Sequence, residues 1–245
     1  VSSTEVQNNF GKYLRLAAKE DIIVTRNGVE IARLISTEEN KDPISHEIKV
    51  HESAESYHSE GKSASFKRFL ELSQADEIRR YEYIDGKIYA QASPTISHQY
   101  AVSKLLAAFD RYFQQSRCTP FTAPNDIRLK RLNQGAVNVV QPDLMVICDL
   151  DENLNEEDYY IGVPSLIVEV LTKSTQSIDL VKKLDLYISS GVKEYWIVNP
   201  VNKEITIYGF ENYMVEQTGA YKNTESAHSF IYDGLSVELE NIFRP

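Results

Sequence analysis

Residues 162–200 read GVPSLIVEVLTKSTQSIDLVKKLDLYISSGVKEYWIVNP, with the layout strand, turn, helix, strand. Ser165 to Leu171 (SLIVEVL) is an apolar, β-branched run of strand length, the pattern of a buried central strand. Thr175 to Ser190 has helical spacing, and Gly191 supplies a C-terminal stop. Glu194 to Val198 is the second strand. One carboxylate, Glu169, interrupts the first strand. Burying a charge costs on the order of several kcal/mol unless it is paired or coordinated. A second acid, Asp143, sits in another apolar run, VVQPDLMVI (139–147). Two acids on buried strands point to a divalent metal site, and hard oxygen donors suit Mg²⁺ or Mn²⁺.

Outward from this stretch, Glu204–Tyr208 forms a further strand past Pro200-Val201-Asn202, and the tail from Tyr213 alternates weakly, as peripheral strands do. On the N-terminal side, Asp149–Tyr160 is an acidic, solvated loop. Strands are expected at Asp126–Lys130 and across Val137–Cys148. Ser97–Gln115 is an amphipathic helix with Val102, Leu105, Leu106 and Phe109 on its apolar face. Tyr81–Asp85 and Lys87–Ala92 form a hairpin around Asp85-Gly86, and Phe66, Phe69, Leu70 and Leu72 suggest a short helix.

Residues 65–245 therefore form one domain, and the polar, His- and Ser-containing segment 41–64 reads as a linker. Its histidines, His46, His51 and His58, have no ligand spacing. Residues 1–40 form a separate helix-plus-hairpin module. Ser2 and Glu5 have capping-box spacing, and Val6, Phe10, Tyr13, Leu14 and Ala17 share one helical face. Two short strands, Ile22–Thr25 and Val29–Ile35, flank Arg26-Asn27-Gly28, where Asn-Gly signals a tight hairpin turn.

The 245 residues carry a formal charge of −10, which argues against non-specific coating of nucleic acid. An acidic metal site with a local basic rim is compatible with that charge. The chain has no apolar run of transmembrane length and no signal peptide, so a cytoplasmic location is expected. Cys118 and Cys148 are expected to be buried free thiols of a reducing compartment.

The chemistry-bearing residues run in the order Glu82, Asp143, Glu169, then Lys173, Lys182 and Lys183. Pro-Asp followed by Glu-x-Lys is the motif of the PD-(D/E)XK nuclease superfamily, in which a metal activates water and a lysine assists. Here Leu171 stands where that lysine belongs. Lys183 is the better replacement, because Asp179, Lys183 and Tyr187 form an i, i+4, i+8 stripe on the following helix. Competing readings are structural: Glu169 as a mere salt-bridge partner of Lys183, Asp143 as a strand-start cap, Glu82 as a surface strand residue, and His98 as a helix N-terminal residue.

Two resemblances sharpen this. STEVQNNFGKYLRLAAKEDIIVTRNGVEIARLIS resembles the DNA-binding half of Phd/YefM-type antitoxins. That likeness implies a homodimer that binds operator DNA, with Ser3, Thr4, Asn8, Asn9 and Arg26 as contacts, and leaves room for a toxin-like protein partner. Residues from about Phe66 to Phe210 resemble the Uma-two family of restriction-endonuclease-like proteins. The matching pieces are Tyr81-Glu82-Tyr83-Ile84-Asp85-Gly86, Ser93-Pro94 with His98, Asp126-Ile127-Arg128-Leu129, Gln141-Pro142-Asp143, and the opening stretch.

The second likeness implies a metal site from Asp143, Glu169 and the Val170 carbonyl, with Glu82 as a third acid and Lys183 as the migrated lysine. His98, Lys173, Asp179 and Tyr187 stand as supporting residues. Lys87, Lys173 and Asn199 depart from the family pattern. The expected fold is α/β, α+β overall, with a mixed central sheet flanked by helices. The expected function is Mg²⁺-dependent DNA cleavage. The rival is an antitoxin-type DNA-binding regulator whose nuclease fold is weak or silent.

Overall fold

The protein is described here as a computed structural model. It describes residues 1, 6, 13, 16–17, 21–26, 29–34, 61–75, 79–132, 134–172 and 178–244, without the side chains of 26, 29–33 and 179. The chain divides into two compact units, Val1–His51 and Glu52–Pro245.

In the first unit, β1 (Ile22–Arg26) and β2 (Val29–Leu34) pair antiparallel, with Arg26 opposite Val29. Val6, Tyr13 and Ala17 are helical and buried with Ile22 and Val24 in a small core. Ser3, Thr4, Asn8, Asn9, Phe10 and Leu14 lie outside the described residues, as do Asn27 and Gly28, and the side chain of Arg26.

Among the described residues, the second unit is built on two large sheets and a small two-stranded one. One runs β3 (Lys62–Ser63), β5 (Lys87–Ala90), β4 (Tyr81–Ile84), β8 (Val137–Val140), β7 (Ile127–Lys130), all antiparallel. Asp85 and Gly86 form its two-residue hairpin turn with φ of 49° and 76°, the left-handed geometry of tight hairpins. Lys62–Ser63, expected within the linker, pairs with β5 instead. Helix α1 (Phe66–Ala75) covers this sheet with Phe69 against Tyr83.

The other large sheet has six strands in the order β13 (Met214–Lys222), β12 (Glu204–Glu211), β11 (Glu194–Asn199), β10 (Leu166–Val170), β9 (Leu144–Ile147), β6 (Thr119–Thr122). Only β10 and β11 are parallel, so the sheet is mixed. The run 137–148 is thus not one strand. It breaks at Gln141-Pro142-Asp143, and its halves enter different sheets; Pro142 has no N–H to offer a ladder. Strand β6 carries no alternation in the sequence and follows α2 (Ile96–Phe113), which Thr95 caps through its side-chain oxygen.

Strand parity divides the core. Leu166, Val168, Val170, Trp196 and Val198 face α2 and the C-terminal segment. Ile167, Leu171, Tyr195 and Ile197 face the opposite side, with Ile127, Leu129 and Val140 of the five-stranded sheet. The tail is less peripheral than its weak alternation suggests. β14 (Ser226–His228), β15 (Ser236–Glu238) and α4 (Leu239–Ile242) bring Ala227, Val237, Leu239 and Ile242 into the first core, fully or almost fully buried.

The two cysteines are not free thiols. Cys118 and Cys148 are joined as a disulfide across the ends of β6 and β9, with Cα atoms 3.9 Å apart. Thr119 faces Ile147 in this antiparallel pair, so the next residues out, Cys118 and Cys148, meet. Among the described residues, no helix is long and apolar enough to cross a membrane.

Candidate active site

Strand register brings the two acids together. Leu166 faces Val146 and Val168 faces Leu144 between β10 and β9. Continued by one residue, that register sets Glu169 opposite Asp143. Paired residues of an antiparallel ladder point to the same face, and both line one small cavity of about 40 Å³. Glu82 of β4 lines it too. On β4, Tyr81 and Tyr83 face α1 while Ile84 faces the second core, so the alternation sends Glu82 toward the cavity.

Lys183 joins two of these acids. Its Nζ lies 2.8 Å from Glu169 Oε1 and 2.9 Å from Glu82 Oε1, and all three residues are 3% exposed. Lys183 ends a π-helical turn (Ile178–Lys183) that leads into α3 (Leu184–Ser190). The expected continuous α-helix is therefore replaced by a wide turn, a feature found often at functional sites. One turn on, the buried Tyr187 hydroxyl donates to the same Glu169 Oε1 at 2.7 Å, and its ring packs edge-on against Tyr195. Leu171, on the motif's lysine position, is buried among apolar residues on the Glu169 side of the sheet. Lys173 lies outside the described residues, as does the side chain of Asp179.

Asp143 is held differently. Its Oδ2 accepts from the Val170 backbone N–H at 2.8 Å and lies 3.0 Å from His98 Nε2. His98 is 5% exposed and sits in the first turn of α2. The backbone N–H of Gln141 donates to Glu82 Oε1 at 2.9 Å. The Gln141–Asp143 crossover thus ties the acid of one sheet to the acid of the other.

Among the described residues, His98 Nδ1 and Gln141 Oε1 are buried without a hydrogen-bond partner. An unsatisfied buried polar atom costs roughly 1–3 kcal/mol, so water or a ligand is expected to meet them. The cavity's three carboxylates outnumber its two cations, the Lys183 ammonium and the Arg80 guanidinium, by one negative charge. That charge and the hard oxygen donors fit Mg²⁺ or Mn²⁺. Among the described residues, no three His, Cys, Asp or Glu side chains stand in ligand geometry.

Two buried networks had no sequence signal. Arg131, 8% exposed, makes a bidentate pair with Asp85 at 2.9 and 2.8 Å and reaches Asp185 at 2.6 Å and Ser189 at 2.7 Å. It fastens the β4–β5 turn, beside Glu82, to the helix that follows Lys183. Glu194 is fully buried and, among the described residues, makes no ion pair. It accepts from Trp196 Nε1 and from the backbone N–H groups of Phe230 and Ile231, and burial raises its pKa while these bonds oppose the rise.

The comparisons agree with this architecture. The profile described as "Putative restriction endonuclease", Uma2, matches residues 66–240, and the chain belongs to the Uma2 family. The profile of the Phd/YefM antitoxins of type II toxin–antitoxin systems matches residues 1–77. The chain is similar to an uncharacterized protein from Synechocystis, 28% identical over 130 residues, which is 53% of this chain and 65% of that protein. The chain thus spans just under two thirds of that relative. Its fold is similar to that of "a putative nuclease belonging to DUF820" from Anabaena variabilis. The TM-score is 0.57 at 16% identity, over 72% of this chain and 95% of the other.

Proposed function

We propose that the chain is a DNA endonuclease of the PD-(D/E)XK type that hydrolyses phosphodiesters with Mg²⁺ or Mn²⁺. The observation that carries this reading is Lys183, buried and bonded to both Glu82 and Glu169 in a cavity that Asp143 also lines. Asp143, Glu169 and the Val170 carbonyl are the proposed metal-holding set, with Glu82 as the further acid. Bound there, the metal supplies Lewis acidity toward water and the phosphate.

The chain's own residues do the rest. Water gives up a proton to solvent and adds to phosphorus, the bond to the leaving oxygen breaks, and the leaving alkoxide takes a proton from solvent. Lys183 offsets the negative charge that grows on the phosphate during this exchange. His98 and the Val170 N–H fix Asp143, while Tyr187 fixes Glu169. A side chain held in place before reaction has no reorganisation left to do.

The Phd/YefM unit is proposed to bring the chain to duplex DNA as a homodimer, through Ser3, Thr4, Asn8, Asn9 and Arg26. A toxin-like protein is a further proposed partner of that unit. The site of action is then the compartment that holds DNA.

The test is incubation of plasmid DNA with the full chain in Mg²⁺, in Mn²⁺ and in EDTA. Metal-dependent cutting is expected. Tight duplex binding without cutting under any condition would instead favour a DNA-binding regulator with a silent nuclease fold.

A further inference from the structure

The cavity carries a cation that its own acids leave unpaired. Arg80 lines it alongside Glu82, Asp143 and Glu169 and is half-buried. Among the described residues, its guanidinium has no hydrogen bond and no ion pair. Buried or half-buried arginines normally find a carboxylate, as Arg131 does with Asp85 and Asp185.

The acids beside Arg80 turn to other donors. Glu82 Oε1 takes Lys183 and the Gln141 N–H. Asp143 Oδ2 takes His98 and the Val170 N–H. Lys183 reaches a substrate only by loosening an existing ion pair. Arg80 meets no such cost.

Its placement is fixed by the hairpin. Tyr81 faces Ala90 in the β4–β5 ladder, and the Gln91 N–H donates to the Arg80 carbonyl at 2.8 Å. Arg80 and Gln91 are therefore the next pair of that ladder. Arg80 has the parity of Glu82, and Gln91 that of Tyr89, which faces Glu82 across the ladder. Gln91 lines the cavity as well, and its side chain makes no hydrogen bond among the described residues. A planar five-donor fork and a neighbouring amide N–H₂, both uncommitted, suit a tetrahedral oxyanion.

We propose that Arg80, assisted by Gln91, binds a phosphodiester group of a nucleic-acid strand at the mouth of the cavity. The identity of the anion rests on the nuclease reading above; the anion site itself rests on the unpaired guanidinium.

The experiment measures binding of a labelled DNA duplex by the full chain in EDTA over a KCl series, for wild type, Arg80→Ala and Arg80→Lys. Inorganic phosphate binding and thermal midpoints are measured beside it. Arg80→Ala is expected to weaken DNA binding roughly tenfold or more. It should also lower the slope of log K against log salt by about one. Arg80→Lys should keep most of the slope, and the thermal midpoints should stay close to wild type. An unchanged slope and affinity in Arg80→Ala overturns the proposal whether or not the protein cuts DNA. Loss of phosphate binding with unchanged DNA binding also overturns it, because the site then takes a free anion. If wild type never cuts DNA but Arg80→Ala lowers the slope, the phosphate site stands and the nuclease reading falls.

Discussion

Lys183 donates to Glu169 across 2.8 Å from a position fourteen residues further along the chain. The ammonium also meets Glu82, so it bridges carboxylates from two different sheets. Breaking a buried pair by removing one partner costs about 3–5 kcal/mol, because the other charge stays buried. Lys183→Ala is therefore expected to lower stability by that order and to cut the cleavage rate by orders of magnitude. The double variant Lys183→Met/Glu82→Gln should recover only part of the stability, because Glu169 stays buried without its cation, and none of the activity. Lys173→Ala should cleave at close to the wild-type rate. Single-turnover kinetics with thermal melts separate the two effects, and the reverse ranking of the lysines would place the lysine wrongly.

Asp143→Ala and Glu169→Ala should each abolish metal-dependent cleavage while leaving a folded protein. His98→Ala keeps the Asp143 carboxylate and removes one of the groups that orient it. Loss of such a supporting contact lowers metal affinity or activity by about 10–100-fold. Calorimetric Mn²⁺ titration of the three variants checks this. Wild-type Mn²⁺ affinity in Asp143→Ala would move the metal elsewhere.

Arg131 should matter for stability more than its distance from the acids suggests. Hydrogen bonds to charged groups contribute roughly 1.5–3 kcal/mol. The lower end applies here, because the Asp85 and Asp185 side chains are 46% and 74% exposed. Denaturant unfolding of Arg131→Met should show a loss of about 2 kcal/mol at unchanged m-value. No loss would mean that the network is only a surface contact.

Glu194 gives the fold a pH dependence. Burial is the largest influence on its pKa and raises it above the ordinary carboxylate value. The folded state therefore holds this proton more tightly than the unfolded chain. The resulting stabilisation is full below the unfolded pKa and is lost as pH rises through the raised folded pKa. Wild type should lose stability over that window relative to Glu194→Ala, whose curve lacks this step. Parallel curves for the two proteins would contradict it.

The sequence by itself determined the local elements and their faces. Period-two alternation put Glu169 with Leu171 on one side of its strand, Asp85-Gly86 made a left-handed hairpin turn, and Gly191 ended α3 with φ of 93°. Lys183 and Tyr187 were legible as neighbours because they lie four residues apart, and both donate to Glu169; the side chain of Asp179 lies outside the described residues. Tertiary structure decided the partners. The Lys183–Glu82 bridge, the Arg131 pairs, the His98–Asp143 contact and the Cys118–Cys148 bond join residues at least thirty positions apart. Such pairs depend on which strand lies beside which, and in what register. Periodicity reports a residue's face and carries no record of the strand opposite. Gln141-Pro142-Asp143 shows the limit most directly. Its flanking apolar runs look continuous, and only the two sheets that claim them make the break that sets Asp143 across from Glu169.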